Sequence, residues 1–172
     1  MARNVEVKAR VASIEALLPL AIVLTDHGPE LIAQDDTFFA CISGRLKLRV
    51  FADGHGELIG YERPDASGPT TSDYRITSVA NPGALRDTLT RALGVTGRVV
   101  KQRTLLVVGR TRIHLDHVDG LGEFLELEVV LRDGESAEHG VAEAHALLER
   151  LQVNASQLVS GAYVDLLRTQ ER

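Results

Sequence analysis

Polar and apolar residues alternate through residues 4–11: Glu6, Lys8 and Arg10 face one way, and Val5, Val7, Ala9 and Val11 the other. A period of two is the signature of a strand. Ser13 then stands where it can cap a helix running to about Thr25, with Ile14, Leu17, Leu18 and Ala21 as its apolar stripe and Pro19 as a point of bending or breakage. His27-Gly28-Pro29 reads as a loop. Residues 36–42 and 46–51 read as a hairpin around Ser43-Gly44-Arg45, and Asp53-Gly54-His55-Gly56 as a second tight turn before a strand over 57–63. The Gly-, Pro-, Ser- and Thr-rich stretch 65–72 reads as a long hairpin loop, because strand patterns continue beyond it at 74–79. Pro82 opens a helix that Gly94 ends. Strands over 99–108, 112–116 and 124–131 follow, then an amphipathic helix over 141–151 and short helical turns within 157–168.

About eight strands joined mostly by short turns, with helices inserted, imply an α+β fold built on an antiparallel sheet, open or closed into a barrel. At 172 residues the chain is read as one domain spanning 1–172. Hydrophobic content of 44% and charged content of 25% fit a globular protein. Tryptophan is absent and aromatics are few, which disfavours a stacking platform for single-stranded nucleic acid, and a net charge of −5 disfavours a general nucleic-acid binder. Cys41 is the only cysteine, read as a small core residue of a protein in a reducing compartment. The apolar stretch Ile14–Leu24 is too short to span a bilayer and lacks the flanks of a signal peptide, so the expected setting is the cytoplasm, with no membrane partner.

Against that acidic background the cations are patterned. All three lysines stand in the frame Lys-x-Arg: Lys8/Arg10, Lys47/Arg49 and Lys101/Arg103. Residues i and i+2 of a strand share a face, so three strands each present two cations to one side and aliphatics to the other. Arg63 and Arg75 sit on two more strands, and Arg112, His114 and Asp116 share one face of another. Glu126 and Glu128 share a face of the last strand. Polar alternation usually marks a solvated sheet face. Segregation of sign by strand fits a charged cavity instead, which is costly unless it holds a charged ligand. Clustered Lys and Arg bind phosphate oxygens. Carboxylates beside such a site suit a bridging Mg²⁺ or Mn²⁺, for which Glu6, Asp116, Glu126 and Glu128 are the candidates. The combination points to a metal-dependent enzyme acting on a polyphosphate or nucleoside triphosphate.

Asn4-Val5-Glu6-Val7-Lys8 resembles the Glu-x-Glu-x-Lys signature of the CYTH superfamily, the triphosphate tunnel metalloenzymes. Gly44-Arg45-Leu46-Lys47-Leu48-Arg49, the Lys101-Gln102-Arg103 strand, and Arg112-Ile113-His114-Leu115-Asp116 follow in the family's order. The stretch Gly120-Leu121-Gly122-Glu123-Phe124-Leu125-Glu126-Leu127-Glu128 is similar to the class IV adenylyl cyclase branch. The resemblance implies an eight-stranded antiparallel β-barrel, a triphosphate tunnel with helices packed outside. It implies that Lys8, Lys47, Arg49, Arg63, Arg75, Lys101, Arg103 and Arg112 bind phosphate, that Glu6, Asp116, Glu126 and Glu128 bind one or two Mg²⁺ or Mn²⁺ ions, and that Glu6, Lys8, Lys101 and Arg103 are catalytic. The implied activity is adenylyl cyclase, ATP to cyclic AMP and pyrophosphate. The alternatives are a phosphatase for inorganic triphosphate or an organic one such as thiamine triphosphate, and a non-catalytic binder of polyphosphate or nucleotide. A homodimer is compatible with the resemblance.

The chain departs from the signature at Asn4, which stands where the first Glu belongs. An amide carries no charge and is no base, which weighs against water activation and towards cyclisation, where the nucleophile is the substrate's own hydroxyl. His114 is read as a structural histidine, Asp35 and Asp36 as turn formers, Arg10 as an extension of the basic face, and Tyr163 either as a cover over the tunnel mouth or as plain packing.

Overall fold

The computed structural model describes residues 2–170. Eight antiparallel strands close into a barrel in the order β1-β5-β4-β3-β2-β6-β7-β8, as the resemblance implied. The strands are β1 (Ala2–Arg10), β2 (His27–Phe39), β3 (Arg45–Phe51), β4 (Gly56–Glu62), β5 (Thr70–Val79), β6 (Val95–Val108), β7 (Thr111–Val118) and β8 (Gly122–Val130). Among the described residues four α-helices lie outside: α1 (Ile14–Leu24), α2 (Pro82–Leu93), α3 (Ala137–Arg150) and α4 (Tyr163–Gln170).

The main apolar core lies outside the barrel wall. Alternate residues of β1, β7 and β8 (Val5, Val7, Ile113, Leu115, Leu125, Leu127, Val129) pack against Leu17 and Ala21 of α1 and Ala144, Leu147 and Leu148 of α3. Burial of these side chains contributes roughly 1.5–3 kcal/mol each and leaves the opposite residues of the same strands facing the lumen. Helix α3 lies so close to the wall that a Cβ at Gly140 would meet Val5 Cγ2 at 2.8 Å and Leu131 Cδ2 at 2.9 Å. Ser13 caps α1, its hydroxyl accepting from the Ala16 amide at 3.2 Å. Pro19 lies inside α1 without ending it. It sits on the exposed side, where the carbonyl it leaves unpaired can be solvated. Asn81 caps α2, whose first residue is Pro82 and which Gly94 ends at φ +78°.

Two readings of local structure are corrected. His27-Gly28-Pro29 is the start of β2 and not a loop: a register shift between His27 and Glu30 absorbs the Gly-Pro pair against β6. Cys41 is not a core residue. Strand β2 ends at Phe39, so Cys41 falls in the exposed β2–β3 turn, with its thiol 3.4 Å from the Gly44 carbonyl.

One end of the barrel is closed by the segment that leads into α4. Ala162, Tyr163 and Val164 pack with Phe38, Val99, Val118, Leu121 and Phe124. Gly97 on β6 permits this, since a Cβ there would collide with the Val164 side chain. The other end is open and ringed by Ile32, Phe51, Ile76 and Leu105, with Arg112 among them.

Candidate functional site

The barrel encloses a cavity of about 290 Å³, near the lower edge of the roughly 300–1,000 Å³ usual for small-molecule sites. Followed around the closed barrel, the strand registers sort its lining into levels. Asn4, Glu128, His114, Arg103, Gln34, Arg49, Ile59 and Tyr74 share one level. Glu6, Glu126, Lys101, Asp36, Lys47 and Tyr61 form the next level towards the closed end, where Lys8, Arg63 and Phe38 follow.

Two Lys-x-Arg pairs each grip one aspartate. Arg49 donates to Asp36 through Nε and Nη2, both at 2.8 Å, and Lys47 Nζ donates to the same carboxylate at 2.9 Å. Arg103 donates to Asp116 through Nε and Nη2, both at 2.7 Å, and Lys101 Nζ at 3.3 Å. The Tyr163 hydroxyl adds a fourth bond to Asp116 at 2.9 Å. Burial alone would raise both aspartates; the paired cations outweigh it and hold both carboxyls well below their ordinary range. Burial, and then the neighbouring Arg103, lower the Lys101 ammonium to about 7.

The glutamates form a third group. Lys8 Nζ lies 3.2 Å from Glu126 Oε2, and Arg103 Nη2 lies 3.2 Å from Glu126 Oε1. Arg112 Nε donates to Glu128 at 2.8 Å, and Arg63 Nη1 to Glu6 at 2.8 Å. His114 Nδ1 is 3.3 Å from Glu126 Oε1. Ligand atoms of His114, Glu126 and Glu128 lie within 4.8 Å of one another. Burial, reinforced by Glu128 and Glu126, raises the Glu6 carboxyl. Like charges crowded in this way create a place that a divalent cation relieves, and an oxygen-rich donor set suits Mg²⁺ or Mn²⁺. The residues present therefore fit such an ion.

Most of the expected site residues converge. Glu6, Lys8, Lys47, Arg49, Arg63, Lys101, Arg103, Arg112, Glu126 and Glu128 all line the cavity. Arg75 does not: on β5 the side chains of Ser72, Tyr74 and Ile76 line the lumen, so Arg75 between them is exposed on the outer wall. Asp116, beside the lumen, is 0% exposed, and its two oxygens accept four bonds from Arg103, Lys101 and Tyr163. Asp36 is no turn former; it lies mid-strand in β2 and lines the lumen. The sign that would have found it was its spacing from Gln34 and Phe38, a polar-in alternation. Arg10 is exposed, donating to the Leu121 carbonyl at 2.7 Å. Tyr163 closes the lumen, its ring 4.1 Å beneath Lys8 Nζ. Lys8 and Arg63 also donate to the Gly161 carbonyl, at 3.3 and 2.9 Å, which ties the closing segment to the cations.

Among the described residues, no helix is long and apolar enough to cross a membrane. The CYTH domain model matches residues 2–163. No curated protein matches the chain by sequence. Among solved structures, the PH1012 protein of Pyrococcus horikoshii OT3 is similar at TM-score 0.84 and 22% identity, over 95% of this chain and 99% of its own. A candidate adenylate cyclase from Vibrio parahaemolyticus is similar at TM-score 0.79 and 20% identity, over 96% and 97%. A candidate adenylyl cyclase from Hippeastrum, described as having a dominant triphosphatase activity, is similar at TM-score 0.64 and 13% identity, over 99% and 96%. At these identities the likeness is one of fold.

Proposed function

The chain belongs to the CYTH domain family, and from the charges in its lumen we propose that it is a metal-dependent enzyme acting on a triphosphate-bearing small molecule, converting ATP to cyclic AMP and pyrophosphate. The observation that carries this is the convergence of Lys8, Lys47, Arg49, Arg63, Lys101, Arg103 and Arg112 on one enclosed lumen. So many buried cations are costly in an empty cavity and favourable around a polyanion.

The polarity of the lumen orients the substrate. Lys8, Lys47, Lys101 and Arg63 lie towards the closed end and take the terminal phosphates. Arg49, Arg103 and Arg112 lie nearer the open end and take the phosphate that bears the organic group. In cyclisation the 3′-oxygen bonds to the α-phosphorus, the bond to the bridging oxygen breaks, and pyrophosphate leaves. Lys8, Lys101 and Arg103 stabilise the charge that builds on the leaving group. Glu6, whose carboxyl burial and its neighbours raise, lies among the groups nearer the closed end and joins the metal's ligands, and the hydroxyl proton leaves to solvent through the open end. Glu6, Glu126 and Glu128 would hold Mg²⁺ or Mn²⁺, with His114 beside them, and the ion would supply Lewis-acid charge neutralisation. Asp116 is occupied as an anchor and is left out of that set.

A second reading, hydrolysis of inorganic or organic (thiamine) triphosphate, is favoured by the Hippeastrum neighbour, a cyclase candidate described by its triphosphatase activity. Phosphorus NMR of the protein with Mg²⁺ or Mn²⁺ and either ATP or inorganic triphosphate separates the two. Cyclic AMP with pyrophosphate is expected. Orthophosphate without cyclic nucleotide would replace the cyclase by the hydrolase, and turnover of neither would leave a binding protein. Asn4→Glu tests the role of the missing signature carboxylate: the expected result is a gain of triphosphate hydrolysis.

A further inference from the structure

The level of the lumen that holds Arg49 and Arg103 also holds two uncharged amides. Asn4 on β1 and Gln34 on β2 are 1% and 5% exposed. Asn4 Oδ1 and Gln34 Oε1 are buried without a hydrogen-bond partner. Strands β1 and β2 stand opposite each other in the ring of eight, so the two side chains face across the cavity they both line. A buried polar atom left unpaired costs free energy that a ligand group can recover.

Their surroundings say what kind of group. Gln34 lies between Phe51 on β3 and Lys101 on β6 in the register, across the lumen from the convergent glutamates. Towards the open end the lining turns apolar, at Ile32, Phe51, Ile76 and Leu105. In the tunnel reading, on which this inference rests, the phosphate chain is drawn inward to the lysines. Whatever is attached to it then lies beside the amides and this apolar ring. An inorganic triphosphate has nothing to offer either. The two unpaired atoms are carbonyl oxygens at the level of the arginines that take the innermost organic phosphate, so they suit a donor close to that phosphate, such as a sugar hydroxyl.

We propose that Gln34 and Asn4 are specificity-determining residues that select an organic triphosphate, one whose phosphate is attached to an uncharged, hydroxyl-bearing group of the sugar class, over inorganic triphosphate. The test is calorimetric binding, with Mg²⁺, of two analogues that cannot turn over: ATP with methylene groups at both phosphate bridges, and tripolyphosphate with methylene bridges. The wild-type protein binds the nucleotide analogue at least tenfold more tightly. Gln34→Met and Asn4→Leu each cut that preference by about tenfold, the loss of one or two neutral hydrogen bonds, through weaker nucleotide binding alone. Both variants melt at or above the wild-type temperature, since an unpaired buried oxygen has been removed. Equal wild-type affinity for the two analogues would overturn the proposal while leaving the tunnel reading intact. So would a parallel loss of both analogues in Gln34→Met, which is what a structural role predicts. An Asn4→Leu variant altered only in its Mg²⁺ dependence would remove Asn4 from the selecting pair. Failure of both analogues to bind would overturn the tunnel reading itself.

Discussion

Replacing Asp36 by asparagine removes the counter-charge of two buried cations while keeping the size of the side chain. Asp36 is 2% exposed and accepts three bonds, from Lys47 at 2.9 Å and from Arg49 twice at 2.8 Å. Among the described residues no other carboxylate hydrogen-bonds to either cation. Breaking a buried ion pair from one side costs about 3–5 kcal/mol, because the partner charge stays buried and uncompensated. For a domain of this size, each kcal/mol moves the melting temperature by about 2–4 °C. Asp36→Asn is therefore expected to melt on the order of 10 °C below wild type when the tunnel is empty. A bound triphosphate brings its own oxygens to Lys47 and Arg49, so saturating tripolyphosphate should recover at least half of that loss. By linkage, recovery of about 2 kcal/mol corresponds to roughly 30-fold tighter tripolyphosphate binding by the variant. Thermal unfolding with and without tripolyphosphate, beside calorimetric titration, measures both quantities. The same gap in melting temperature with and without ligand would refute the idea that Asp36 holds the place of phosphate in the empty tunnel, as would weaker binding by the variant.

Three further outcomes are expected. Glu128→Gln should weaken Mn²⁺ or Mg²⁺ binding at least tenfold by titration, since it removes one charge from the convergent glutamates; unchanged affinity would drop Glu128 from the ligand set. Lys101 carries a folded pKa of about 7 against an ordinary 10.5, so between those values the unfolded chain holds a proton that the folded chain lacks. The Lys101 contribution to stability therefore rises with pH across that window, and triphosphate binding at pH 8.5 should take up a proton. Calorimetry in two buffers of different ionisation enthalpy reads this uptake, and Lys101→Met should abolish it. Gly140→Ala should destabilise the fold by about 1–3 kcal/mol in urea unfolding, because the new methyl meets Val5 and Leu131 within 3 Å; no loss would mean that α3 is seated farther from the wall.

Strands β1 and β3 were legible because their inner residues are mostly charged or polar and their outer ones aliphatic, so each shows a clean period of two; β6 was legible from Lys101 and Arg103, although Gln102 and Thr104 on its outer face are polar. Strand β2 was only half legible because its contrast is inverted. Leu31 is 81% exposed on the outer wall, while Gln34 and Asp36 are buried facing the lumen. A reading that places apolar residues inward finds no strand there, and the Gly28-Pro29 pair, absorbed in a register shift, strengthens the impression of a loop. That one error also turned Asp36 into a turn former. Arg75 was misplaced for a simpler reason: it was matched by charge, whereas Tyr74 and Ile76 on either side were the better guide to which face enters the lumen. The inward parity of Asp116 was legible, but no pattern in sequence counts hydrogen bonds, and its four bonds from Arg103, Lys101 and Tyr163 distinguish it from the less fully bonded glutamates.

That distinction divides the carboxylates of the lumen by the work they can do. Asp36 and Asp116 are each gripped by a Lys-x-Arg pair and held ionised well below the ordinary range; they fix the rotamers of the cations that meet phosphate. Glu6, Glu126 and Glu128 are opposed by cations yet crowded by one another, enough that Glu6 is pushed upward. Seven cations (Lys8, Lys47, Arg49, Arg63, Lys101, Arg103 and Arg112) thus stand against these five carboxylates, and with Lys101 protonated the balance is an excess of two positive charges. A triphosphate monoester carries about four negative charges near neutral pH, its terminal phosphate being mostly dianionic, and one divalent ion reduces that to about two. The lumen is therefore matched to the metal complex and not to the bare anion. In the tunnel reading it follows that ion and triphosphate bind with positive coupling, each lowering the cost of burying the other's charge.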